Sequence, residues 1–240
     1  MSRADCTMRL FGGFELRNGP GAVDVPLSLH RVLAFLALQD RPLPRCYVAD
    51  TLWPETREEK ALANLRTALW RIHRLHCEIV YATPVELALD PAIRVDARTL
   101  HEAARAYRRT GTLPAPDTLL EIRGELLPGC WDSWLVFERE RLRYEAVELL
   151  ESTSRACLVR GQVHLASLLS LDAVECDPLR ESAHELVIRT SLAAGDRLGA
   201  ARHARRYAEM LKMELGLPPP SMVSDLLRLH SNQGTIKSRS

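Results

Sequence analysis

Residues 53–75 read WPETREEKALANLRTALWRIHRL, and the helix predicted within them, from about Glu58 to Leu75, decides the fold. At about 100° per residue, Leu62, Leu65, Leu69, Ile72 and His76 fall in one arc roughly 80° wide. The opposite side carries Lys60, Ala63, Thr67, Arg71 and Arg74, with Asn64 and Trp70 flanking it. Between Lys60 and Cys77 stand four bases (Lys60, Arg66, Arg71, Arg74) and no acid, whereas the first 92 residues hold 11 bases and 11 acids. A helix that enters a major groove needs this arrangement. An apolar stripe anchors it, and its outward face is basic, free of carboxylates and small enough at the centre to approach base edges. Thr67 would set its methyl against a thymine, and Arg71 would grip guanine O6 and N7 with two parallel hydrogen bonds. Lys60, Arg66 and Arg74 would touch phosphates. The competing reading is a solvated charged face on an ordinary amphipathic helix, so the neighbouring elements decide.

Upstream, Met8–Phe11 and Phe14–Arg17 are short β-prone runs, Asn18-Gly19-Pro20-Gly21 is a turn, and residues 23–27 alternate with period two. Ser28 reads as the N-cap of a helix through Leu38, and a short helix from Tyr47 to Leu52 stops at Trp53-Pro54. Downstream, residues 79–82 and 86–89 form a predicted hairpin around Thr83-Pro84-Val85. Sheet, three helices and hairpin, in that order, make a winged helix-turn-helix.

From Val95 onward the pattern is helical. Helices are expected over residues 99–109 and 133–159, with a loop from Thr110 to Asp117. Leu158, Gly161 and Ala166 recur as Leu192, Gly195 and Ala200, each 34 residues later, which is the tetratricopeptide period. A short helix through His230 and a disordered tail should follow. The expected fold class is mainly α with a small β component. An α+β winged helix-turn-helix occupies 1–92, an all-α tetratricopeptide-like domain 95–232, and a disordered tail 233–240.

These words resemble a family. MRLFGGFELRNG, LWPETREEKALANLRTALWRIHR and LPGCWDSWLVFERERLR are similar to stretches of the Streptomyces antibiotic regulatory protein (SARP) transcriptional activators. DPLRESAHELVIRTSLAAGDRLGAARHARRYAEMLKMELGLPPP resembles their bacterial transcriptional activation domain. The resemblance implies a response-regulator-type winged helix that binds direct repeats in promoter DNA as a dimer. It also implies recruitment of RNA polymerase, through sigma or another subunit, to an antibiotic gene cluster. Carried over by position, base reading falls on Thr67 and Arg71 and a backbone contact on Trp53. The hairpin tip departs from the pattern, having no Arg or Lys for a minor groove.

Trp70 reads as packing against a partner helix or a neighbouring protomer, and Trp131 and Trp134 as an interdomain clasp. Arg139, Arg141 and Arg143, interleaved with acids, read as a salt-bridged solvated face.

Composition narrows the classes. With 32 Lys+Arg against 31 Asp+Glu the net charge is +1, which excludes a chain that is basic throughout. The longest apolar run, Val32–Leu38, cannot span a bilayer, and no signal peptide is visible, so a cytoplasmic protein is expected. The six cysteines form no CxxC pair, and no metal or cofactor is expected. His101-Glu102 and His184-Glu185 start like HExxH, but Arg105 and Ile188 stand where the second ligand belongs. No phosphate loop, nucleophile elbow or phosphoacceptor pocket is present, so no enzyme is expected. The rival is a protein-interaction adaptor that works through its helical repeats without binding DNA. A third possibility is a second domain that senses a small metabolite.

Overall fold

A computed structural model describes residues 6–75, 79–221 and 223–224. The expected helix through His230, the tail at 233–240 and His76 of the apolar arc lie outside the described residues. The chain forms two compact units, Met1–Glu102 with Ile122–Leu142, and Ala103–Glu121 with Arg143–Ser240.

In the first unit, β1 (Cys6–Arg9), β2 (Glu15–Asn18) and β3 (Gly21–Val23) make an antiparallel meander, and β7 (Arg94–Val95) lies parallel to β1. Met8 pairs with Leu16 across the ladder and both point into the core. Helices α1 (Leu27–Ala37), α2 (Arg45–Leu52) and α3 (Glu58–His73) follow. The second sheet has the order β4-β6-β5, from β4 (Leu43–Pro44), β5 (Val80–Ala82) and β6 (Glu86–Leu89). The sheet–three helices–hairpin order of the winged helix is therefore present.

The local boundaries shift where prolines and one carboxylate act. The alternating run at 23–27 ends as strand at Val23, and Pro26, not Ser28, is the N-cap of α1. Its ring holds φ at −55° beside an extended ψ of 137°, so the helix starts at Leu27 and Ser28 falls inside the first turn. Pro44 does the same for α2, which starts two residues before Tyr47. Helix α1 is buried from Val32 through Ala37, which accounts for its continuous apolar run: it is the hub of this unit.

Helix α4 (Asp96–Thr110) starts before Thr99, because Asp96 is tied to the end of β1. Its carboxylate accepts the backbone N–H of Leu10 at 2.9 Å, Phe11 at 3.0 Å and Ala97 at 2.7 Å. Burial pushes the Asp96 carboxyl up, and these three N–H groups pull it back. Asp96→Ala strips the acceptor from three N–H groups of buried residues. It should lower unfolding stability by about 2–3 kcal/mol, read as a drop in the urea midpoint at unchanged slope. A midpoint within error of the parent would deny Asp96 this role.

Arg139 also departs from expectation. Instead of joining a solvated face, its side chain is 17% exposed. It donates to the carbonyls of Leu126, Leu127 and Cys130 at 2.9, 2.7 and 2.7 Å.

The second unit takes in α5 (Pro116–Glu121), α7 (Val163–Cys176), α8 (Glu181–Ala193), α9 (Arg197–Leu215) and most of α6 (Ser133–Val159). Helix α5 shortens the expected loop at 110–117, with Pro116 as its first residue, where a missing N–H costs nothing. The 34-residue repeat is structural. Gly161 follows α6 at φ 74° and Gly195 follows α8 at φ 80°, both in the left-handed region. Ala166 and Ala200, one turn into the next helices, are fully buried and let the paired helices close up. Helix α8 packs on both α7 and α9.

Two polar groups sit inside these helices. Glu151 is 3% exposed and accepts from Arg180 Nε at 2.7 Å and Ser182 Oγ at 2.5 Å. His184 stacks on Tyr207 with centroids 3.8 Å apart, its Nε2 lies 2.8 Å from the Pro178 carbonyl, and its Nδ1 lies 2.9 Å from His203 Nε2. That pattern suits two neutral imidazoles, His184 donating to the carbonyl and accepting from His203.

Candidate nucleic-acid interface

Helix α3 opens with Glu58 and Glu59 in its first turn and closes with Arg71 and His73 in its last, both arranged to complement the helix dipole. Its buried residues are Ala61, Leu65, Ala68 and Ile72. The apolar stripe is therefore rotated by about 50° from the Leu62–Leu65–Leu69 arc. Leu62 and Leu69 are only half-buried, at its edges. Two alanines let the helix backbone approach its neighbours, and the longer leucines reach down the flanks.

The rotation changes which residues face out. Lys60, Arg66, Thr67, Trp70, Arg71 and Arg74 are exposed, while Asn64 is half-buried at the rim. Trp70, read from sequence as a flanking residue, is 59% exposed near the middle of the face, with the Arg74 guanidinium 4.8 Å from its ring centroid. Among the described residues Lys60, Arg66 and Arg71 have no ion-pair partner, so their charge is available. Thr67 Oγ1 donates to the Ala63 carbonyl at 3.0 Å. Its hydroxyl proton is thereby occupied, and the side chain offers outward a methyl and acceptor lone pairs.

Trp53, Asn64, Thr67 and Arg71 line one hollow of about 390 Å³. Trp53 ends α2 in a non-helical conformation (φ −132°, ψ 59°), with its N–H on the Ala49 carbonyl at 2.9 Å. That turn carries the chain into α3 and sets Trp53 at the edge of the hollow beside it. Lys60, Arg66, Trp70 and Arg74 lie on the same helix but outside the hollow. Ser28 and Arg31 of α1 line it and were not found from sequence; their i, i+3 spacing at the start of a helix is the only signal they leave.

The hairpin also gains a base that its own sequence lacks. Arg45, at the start of α2, donates Nε to the Thr83 carbonyl at the tip, at 2.8 Å. The tip is further closed by Glu86 N–H on Thr83 Oγ1 at 2.9 Å. Tyr81 and Val85 are 65% and 68% exposed on this wing.

Trp131 and Trp134 both belong to the first unit. Trp134 meets Phe35 of α1 edge-on, with centroids 5.1 Å apart, and Trp131 is 85% exposed. Neither lines the hollow beside α3. Among the described residues no group of three or more His, Cys, Asp or Glu could hold a metal ion. No described helix is long and apolar enough to cross a membrane.

Residues 92–230 match the family described as the bacterial transcriptional activator domain. Among solved structures, the fold is similar to that of Mycobacterium tuberculosis EmbR in complex with a low-affinity phosphopeptide. The TM-score is 0.63 at 18% identity, over 95% of this chain and 65% of that chain. The chain thus spans about 65% of the length of that relative, and at this identity the likeness is one of fold. No curated protein sequence matches.

Proposed function

The chain belongs to the bacterial transcriptional activator domain family, and on that premise we propose that it is a sequence-specific DNA-binding activator of the SARP type. Helix α3 enters the major groove of promoter DNA. Thr67 and Arg71 read bases, and Trp53, Lys60, Arg66 and Arg74 hold the backbone. Two copies bind head to tail on direct repeats about one helical turn apart, since each winged helix serves one half-site. The helical unit recruits RNA polymerase at a biosynthetic, antibiotic-type gene cluster, and the protein acts in the cytoplasm.

One observation carries this reading. From Lys60 on, the exposed face of α3 carries no acid, its bases make no ion pair among the described residues, and Trp53, Asn64, Thr67 and Arg71 line one hollow. Selection of bound fragments from genomic DNA, followed by gel-shift titration across salt, tests it. Three phosphate-directed bases per protomer, Lys60, Arg66 and Arg74, predict a log K against log salt slope of about −3 per half-site. A flat salt dependence, with no fragment enriched, would favour the adaptor that works through its helical repeats.

The occupied Thr67 hydroxyl gives a sharper expectation. If the methyl reads a thymine, Thr67→Val keeps the preference to within about twofold, because the methyl remains. Thr67→Ser removes only that methyl and should lose about 1 kcal/mol of discrimination at one position. The opposite order, with Ser conserving and Val abolishing the preference, would assign reading to the hydroxyl.

A further inference from the structure

A short loop before α6 is built with more care than a linker needs. Leu127 has φ 49°, the one non-glycine residue with positive φ among the described residues. A backbone so placed persists only where its surroundings over-determine it, and such positions gather at binding sites. Here Leu127 N–H donates to the Leu10 carbonyl at 2.9 Å, and Arg139 clamps three loop carbonyls. The most prominent feature held by this clamp is the bare indole of Trp131, whose ring centroid lies 5.8 Å from the Arg139 guanidinium.

Trp131 stands over a hollow of about 310 Å³ within the first unit, at the small end of the ~300–1,000 Å³ typical of small-molecule sites. The hollow's other aromatic surface is Phe14, stacked on His30 with centroids 4.1 Å apart and planes 20° from parallel. Leu27, 80% exposed, adds an aliphatic edge. The polar lining is self-neutralised: Arg31 Nε donates to Asp132 Oδ2 at 2.9 Å, and Cys130 Sγ lies 3.0 Å from the same oxygen. Burial, followed by the Asp132 hydrogen bond, pushes the Cys130 thiol up, so it remains uncharged. No net charge is left to recruit an ionic ligand, and two ring surfaces are left to recruit a flat one.

We infer that this hollow binds a planar, uncharged ring compound, stacked on Trp131 with its polar edge toward the Arg31–Asp132 pair. Arg31 also donates to the Leu52 carbonyl at 2.9 Å and lines the hollow shared by Trp53, Thr67 and Arg71. Arg31 therefore touches both hollows. The binding proposed for the first hollow does not rest on the DNA reading of the second.

The test is a titration of the full chain without DNA, following the Trp131 indole N–H in NMR spectra, assigned with Trp131→Phe. The probes are 2-naphthol, flavone and 9,10-anthraquinone, with decahydro-2-naphthol as the saturated control. At least one planar probe should give a saturable shift with a micromolar Kd. The saturated alcohol should bind at least fivefold more weakly than 2-naphthol. Trp131→Ala, at a residue too exposed to support the fold, and Phe14→Ala should each weaken binding about tenfold. Three results overturn the assignment: no saturable shift with any planar probe, equal affinity for the saturated alcohol, or unchanged affinity in Trp131→Ala. Because DNA is absent throughout, failure here leaves the DNA proposal standing, and failure of DNA binding leaves this result standing.

Discussion

Arg71→Ala is expected to reduce affinity for the preferred operator by about 1–3 kcal/mol, roughly 5–150-fold, and to relax one base position. The size follows from geometry. The guanidinium makes no ion pair among the described residues, so its removal breaks nothing in the fold, and it borders the same hollow as Thr67 and Trp53. Arg71→Lys separates fork from charge: non-specific binding stays close to the parent, while sequence preference falls with the lost bidentate grip. Arg74→Ala, by contrast, should weaken all sequences alike and lower the salt slope by about 1. Quantitative gel shifts on a set of single-base operator variants read all three. Undiminished preference in Arg71→Ala would take base reading away from this residue.

The second large effect is on stability. Glu151→Ala should destabilise the helical unit by about 2–4 kcal/mol. That lies below the ~3–5 kcal/mol of a wholly buried pair, because the Arg180 and Arg155 side chains left behind are 30% and 50% exposed and can turn to water. The pH dependence has a definite sign. Burial alone would raise the Glu151 carboxyl, but hydrogen bonds from Arg180 and Ser182 and the nearby charges of Arg180 and Arg155 hold it below its ordinary 4.5. Its contribution is complete above about pH 4.5 and is lost as pH falls through the depressed folded value. His203 acts earlier. Burial, then His184 and Arg206, push it down to about 4, so the unfolded chain takes up its proton first. Stability is therefore lost progressively as pH falls from 6.5 towards 4. Thermal melts followed by circular dichroism should show Tm sloping down from pH 6.5. His203→Gln should flatten the upper part of the slope and Glu151→Gln the lower. A Tm constant between pH 7 and 4 would refute the His203 assignment, and a slope below pH 4.5 that Glu151→Gln leaves unchanged would refute that of Glu151.

The winged-helix order, the Ser133–Val159 helix and the 34-residue repeat were legible in the sequence, because each rests on a periodicity or a backbone requirement carried by few residues. The paired glycines at 161 and 195 show why: both need left-handed φ, and both have it. The orientation of α3 was less legible. Hydropathy ranks Leu62 and Leu69 above Ala61 and Ala68, but close packing selects the small residues for the centre of a contact. The true face is thus rotated, bringing Trp70 and Arg74 toward its middle. The helix starts after Pro26, after Pro44 and at Asp96 lie two to three residues before those expected, since rigid φ and a long-range carboxylate bond outrank local capping preference.

The sequence by itself determined the elements, their order, the repeat and the acid-free basic run that starts at Lys60, all of which are properties of neighbours along the chain. Only the tertiary structure decided which residues share a surface. It set Ser28 and Arg31 of α1 beside Trp53 and Arg71, lent Arg45 to a hairpin tip without a base, and turned Arg139 inward onto three carbonyls. Those meetings join residues on different elements and loops, and packing fixes such contacts by shape and by the need to satisfy buried polar groups, neither of which leaves a period in the chain.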